Sequence, residues 1–246
     1  MKRKYASPPI IEAVCEFRVS QDSEWDATVP GLIYEKVSKD FPNKERRVFQ
    51  EVELTGSQEG TEQKVTINER VLFLTSDKKT FIQVAPNLIA VNCLKPYPSW
   101  DGFKLRIRNA FEALISTVSV KGFQRIGLRY INRITVPGER VNLDEHFEFR
   151  PFLGPKLPQN MLSFFLGCEL PLLDERDVCK VQLTNAIAEE PNTRALILDL
   201  DYYLAQPQAL QVDNALSWVN DAHENLYDVF EGCISDRLRI LFQEVK

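Results

Sequence analysis

The chain has little of what enzymatic and metal chemistry most often uses. Only two histidines, His146 and His223, occur in 246 residues, and neither lies in a motif that sets up a nucleophile or a zinc site. The five cysteines (Cys15, Cys93, Cys168, Cys179 and Cys233) are odd in number, widely spaced and without a CxxC pair. They read as small buried apolar residues of a reducing compartment, not as a disulfide framework or a zinc ligand set. Ten glycines are mostly placed singly, and neither GxxxxGK[ST] nor GxGxxG occurs. The loop from Gly56 to Gly60 carries Glu59 and is followed by Glu62, which would repel phosphate. No cofactor is expected.

Long apolar runs are missing as well. Val71 to Leu74 and Ala195 to Leu198 fall far short of the roughly 20 residues that cross a bilayer, and residues 1–10 hold no apolar h-region. A cytoplasmic protein without membrane association is expected. Nor is there an excess of cations: 30 Lys and Arg stand against 35 Asp and Glu, a formal charge of -5, with a pI near 5.3. Any nucleic-acid contact would have to rest on a local basic patch.

What is present is ordinary globular material, 44% hydrophobic and 26% charged, enough for one large domain or two fused smaller ones. Ile11, Ala13, Cys15, Phe17 and Val19 alternate with Glu12, Glu16 and Arg18, the period of a strand with one buried face. A helix follows from Thr28 to Lys39, with Pro30 in its first turn and Pro42 beyond its end. Arg46 to Leu54, Gln63 to Thr75, Thr80 to Ala85 and Leu88 to Leu94 read as strands, and their short links require antiparallel neighbours. Ser99 caps a helix to about Thr117, in which Trp100, Phe103, Ile107, Ala110, Phe111 and Leu114 recur every three or four residues.

From Phe123 the order starts again. A strand to Val136 and a helical turn at Leu143 to Phe147 lead into a Pro-rich connection around Pro151, Pro155 and Pro158. Strands at Leu162 to Leu170, Val178 to Ala188 and Arg194 to Leu204 follow, and a long helix from Val212 to Phe242 closes the chain, with a break or kink allowed at Gly232. The expectation is an α+β protein: a curved antiparallel sheet with long packed helices, built from a pseudo-duplicated β-α-β4-α unit, once clearly at 1–120 and once approximately at 121–246, the two halves forming two domains or one continuous domain.

That order resembles the TATA-box-binding-protein-like and helix-grip folds in topology alone, and fold does not assign function. Two segments, Pro8-Pro9-Ile10-Ile11-Glu12-Ala13-Val14-Cys15-Glu16-Phe17 and Gly127-Leu128-Arg129-Tyr130-Ile131-Asn132-Arg133-Ile134, with Leu198 to Tyr202 as a weaker third, resemble the hallmark segments of a sporadically distributed, uncharacterised bacterial family of about this length. The resemblance transfers no catalytic residue. It implies the patchy distribution typical of mobile and defence-associated genes, including accessory proteins beside CRISPR effectors.

Four constellations carry the functional expectations. Alternation along the Phe123 strand puts Arg125, Arg129 and Arg133 on one face, spread over roughly 26 Å at about 3.3 Å per residue. They could track phosphates, although a charge-paired sheet face is the preferred reading. Asp199 and Asp201 share a face and could hold a hard cation for a metal-dependent hydrolase or nuclease; pairing with Arg129 or Arg133 is preferred. On the last helix Asp221, Glu224, Asp228 and Glu231 form an acidic stripe opposite the apolar one. The Pro-rich connection offers Phe152 and Leu157 as partner contacts. Together these favour a non-enzymatic adaptor or regulator that binds another protein, with nucleic-acid binding second and metal-dependent hydrolysis third.

Overall fold

The computed structural model describes residues 3–57, 60–159 and 161–245, with the backbone alone for 49–57 and 60–68. The strands and helices are β1 (Lys4–Tyr5), β2 (Ile10–Val19), α1 (Val29–Val37), β3 (Asn43–Ser57), β4 (Gly60–Leu74), β5 (Thr80–Ala85), β6 (Leu88–Leu94) and α2 (Trp100–Ile115), then β7 (Phe123–Pro137), α3 (Leu143–His146), β8 (Phe165–Leu172), β9 (Asp177–Ala186), β10 (Thr193–Leu204), α4 (Ala215–Cys233), α5 (Asp236–Leu241) and β11 (Glu244–Val245). Local chemistry accounts for most of the turns. Asn87 takes a φ of 57° after Pro86 and closes the two-residue link between β5 and β6, a turn geometry asparagine tolerates. Asp77 accepts from the Thr75 hydroxyl and the Lys79 amide, at 2.6 and 3.0 Å, in the link before β5.

β3 to β10 and β2 form one nine-stranded sheet in the order β3-β4-β5-β6-β2-β7-β10-β9-β8, and every described pair within it is antiparallel. Within this sheet the first strands on each side of residue 120, β2 and β7, meet at its middle, with Cys15 opposite Leu128 and Ala13 opposite Tyr130. Outward from that seam the two sides follow the same sequence: the last strand of the half, then the one before it, then the one before that. The sheet is thus continuous across residue 120. β1 and β11 pair separately, Tyr5 opposite Glu244.

One face of the sheet carries Ala13, Cys15, Phe17 and Val19 from β2, Ile126, Leu128, Tyr130 and Ile134 from β7, and Leu196, Leu198, Leu200 and Tyr202 from β10. All are buried in a single core with Ile33 of α1, Phe103, Ile107 and Phe111 of α2, and Trp218, Val219 and Leu226 of α4. The period of two in the strands and of three to four in the helices therefore converge on one apolar layer. Asp177 lies within this layer at 1% exposure. Its carboxylate accepts from Trp218 Nε1 at 2.9 Å and the Tyr202 hydroxyl at 3.0 Å, and from Arg176 Nη2 at 2.6 Å, which ties α4 to β9 and β10. Among the described residues no helix is long and apolar enough to cross a membrane.

The long last helix is corrected by the structure. Val212 to Asn214 form a 3-10 turn, α4 ends at Cys233, and α5 starts at Asp236. Ile234 is extended and bridges to Phe147. Around it Ser235 donates its amide to the His146 carbonyl at 3.0 Å, and Glu148 donates to the Cys233 carbonyl at 2.9 Å. The chain leaves the helix just after Gly232 because a segment some ninety residues away supplies strand-like partners for its backbone.

A candidate protein-docking groove beside a neutralised sheet face

The sheet face opposite the helices carries the charged residues singled out by sequence, and it pairs them. Arg125 donates through Nη2 to both oxygens of Asp201 at 2.8 Å, lies 3.5 Å from Glu16 and covers the Tyr203 ring at 4.5 Å. Arg129 grips Asp199 through Nε at 2.8 Å and through Nη2. Arg133 donates to the Ile187 carbonyl and meets Glu189 at 3.2 Å. The register accounts for one pair: Ile131 stands opposite Asp199, so Asp199 reaches Arg129 diagonally across the pleat, whereas Asp201, opposite Arg129, is met by Arg125 from four residues further along β7. Asp199 takes Arg129 as expected, while Asp201 takes Arg125 instead of Arg129 or Arg133. A parallel row of amides crosses the other strands, with Gln83 donating to Asn92 at 2.7 Å and Asn92 to Glu12 at 2.6 Å.

Electrostatics follow this geometry. Burial holds the Asp201 carboxyl above the ordinary carboxylate range, against the pull of Arg125 and Arg129. The hydrogen bonds to Asp199 push the Arg129 guanidinium upward. Phosphate binding along β7 would have to displace these carboxylates. A cation at Asp199 and Asp201 would likewise have to displace the guanidiniums, and among the described residues no group of three or more His, Cys, Asp or Glu is placed to hold a metal ion.

The other polar candidates are engaged in packing. His146 is buried and its Nδ1 lies 2.8 Å from the Asn142 carbonyl. His223 stacks on Trp100 at 4.0 Å, with Nδ1 at 3.0 Å from the Tyr130 hydroxyl, which in turn meets Tyr97 at 3.2 Å. Burial raises the Cys179 and Cys233 thiols to about 12, so both are protonated, poor nucleophiles at neutral pH. On α4, Asp221, Glu224 and Asp228 are exposed. Glu231 departs from the expected solvent stripe: it accepts from the Tyr5 hydroxyl at 2.6 Å and from Arg239 at 2.9 Å, and so fastens β1 and α5 to α4. The acidic loop with Glu59 and Glu62 lies outside the described side chains.

A groove of about 1530 Å³ runs between the connection that follows β7 and the ends of β9 and β10. Leu143, Met161, Phe164 and Leu196 supply apolar wall, and Arg140, Arg150 and Arg194 supply cations. Its frame is fixed by the β7–β10 register, Pro137 opposite Thr193, and by the Gly138 amide donating to the Asn192 carbonyl at 2.7 Å. Gly138 takes a φ of 111° there, a left-handed conformation that a side chain would strain. The rim is apolar and open: Phe152 and Leu162, which line the groove, are 89% exposed and wholly exposed, and Ile187, next to the lining residue Ala186, is 89% exposed. Leu157 is exposed as well, but it does not line the groove.

Of the predicted partner contacts the structure thus brings Phe152 to the groove and leaves Leu157 beside it. Leu162, Ile187, Arg140 and Arg194 were missed by sequence reasoning. Leu162 and Ile187 sat at the ends of expected strands, where an apolar residue reads as core, and a single arginine in a turn (Arg140) or at the start of a strand (Arg194) carries no pattern. No protein-family model and no curated protein matches this chain.

Proposed function

We propose that this is a non-enzymatic cytoplasmic binding protein, an adaptor or regulator, that docks another protein at the rim of the groove. The observation that carries the reading is that Phe152 and Leu162, nearly bare of protein contact, line one concavity. Scattered exposed apolar residues are normal on any surface, whereas a cluster rimming a cavity marks an interaction site. A nucleic-acid role for Arg125, Arg129 and Arg133 ranks below this because each guanidinium already has a protein acceptor, and a hydrolase or nuclease at Asp199 and Asp201 ranks below it for the same reason. The place beside a defence system, as an accessory protein, rests on the sequence resemblance alone. The shared outward strand order of the two halves supports a duplicated ancestral unit and kinship with TATA-box-binding-protein-like and helix-grip scaffolds, with α3 as the shortened counterpart of α1.

The test is affinity capture of the whole chain from its own host at moderate salt, beside the double variant Phe152→Asp/Leu162→Asp. Both positions are exposed, so the variant's stability should stay within about 0.5 kcal/mol of the parent. The expected outcome is a stoichiometric protein partner held by the parent and lost by the variant. Equal recovery by both, or no stoichiometric partner, would overturn the docking surface.

A further inference from the structure

Resting on that reading, we infer that the occupant of the groove is an extended polypeptide segment carrying a carboxylate beside an apolar side chain, the carboxylate taken by Arg140 and Arg194. Size argues for a chain segment first. Small-molecule sites occupy about 300–1,000 Å³, and this groove, at about 1530 Å³, is larger.

Charge specifies the segment. The groove's third arginine, Arg150, is satisfied by Asp144 at 2.6 Å and Glu148 at 3.5 Å, and the three arginines of β7 are all paired. Arg194 instead spends only its Nε, on the Glu139 carbonyl at 2.7 Å. Its terminal nitrogens and the whole Arg140 guanidinium meet no carboxylate of the described residues. Two forked donors lining one groove, Arg194 held at the start of β10 by its register with β7 and Arg140 in the turn after β7, form a ready site for a planar anion, and charge-assisted pairs of this kind are the strong ones. Glu139, the lining carboxylate that no arginine holds, sits beside Arg140 and sharpens the choice, since it disfavours a segment whose acidic groups fall on that side. The apolar partner of the carboxylate seats against Met161 and Phe164, which line the same groove.

A random twelve-residue peptide display library selected on the full chain tests this. Enrichment of peptides with Asp or Glu adjacent to Leu, Ile or Phe is expected. An individual winner should lose at least about tenfold in affinity on Arg140→Glu/Arg194→Glu, a variant of exposed residues that keeps its melting temperature. It should also be lost on Phe152→Asp/Leu162→Asp. Winners that need Phe152 and Leu162 but show no acidic preference and ignore the arginine reversal would overturn the inference while the docking groove stands. Winners indifferent to both double variants, or no enrichment, would overturn the groove together with its chemistry.

Discussion

A carboxylate with 1% of its surface exposed is stable in a core only if its oxygens are filled, and Asp177 has Trp218, Tyr202 and Arg176 around it. Removing it strands the two buried donors, Trp218 and Tyr202, and breaks the ion pair of the partly exposed Arg176. Asp177→Ala should therefore cost about 3–5 kcal/mol, and Asp177→Asn, which keeps an acceptor oxygen, distinctly less. Urea denaturation of the two variants measures this, and a loss under about 1 kcal/mol for the alanine would show that the cluster does not anchor α4. Nothing in the sequence marks Asp177, since an aspartate at a strand start before alternating residues looks like an ordinary turn residue. Asp199 and Asp201 were legible for the opposite reason: their spacing sets their face, and the arginines four positions apart on β7 set the complementary one. Which arginine met which aspartate depended on a register that alternation alone does not give.

At the scale of elements, periodicity located the strands and helices well because most of them bury a single face. Thr80–Ala85 and Leu88–Leu94 were read without a shift in either boundary, their ends being set by the turn residues between them. The last helix failed where tertiary structure overrides helical propensity. Ile234 fits the helical stripe, but it bridges Phe147, and the Ser235-Asp236 start of α5 was the local signal that the stripe concealed. Gly232 sits just inside the end of α4 with no atom within 4 Å of an added Cβ, so its flexibility serves no close contact. Gly232→Ala should stabilise the protein by about 0.5–1 kcal/mol, read as a higher denaturation midpoint at unchanged slope. A lower midpoint would mean that the exit of the chain at Ile234 needs the glycine.

For the molecule as a whole, the element order was readable, whereas the groove was not, because it forms from turns that follow β7, precede β8 and join β9 to β10, distant in sequence and patternless in each. Among its described residues, the connection that forms one of its walls has no strand or helix between Phe147 and Phe164, and Lys156 within it is exposed. Among the described residues, limited trypsin digestion should cut first after Lys156. The two pieces should still elute together under native conditions, since β7 on one side of the cut pairs along its length with β10 on the other. Separation of the fragments without denaturant would show that the sheet is less cooperative than its continuity requires.

The seam between β2 and β7 also shapes how the chain is made. β2 leaves the ribosome early and gains β6 on one edge once Leu94 has been added, but its other edge waits for β7, which ends at Pro137. At about 5–20 residues per second, the intervening stretch of about 40 residues leaves an unpaired strand edge open for roughly 2–8 s. During that interval the nascent first half presents the kind of template on which neighbouring chains aggregate, and a chaperone that shields strand edges has its window there.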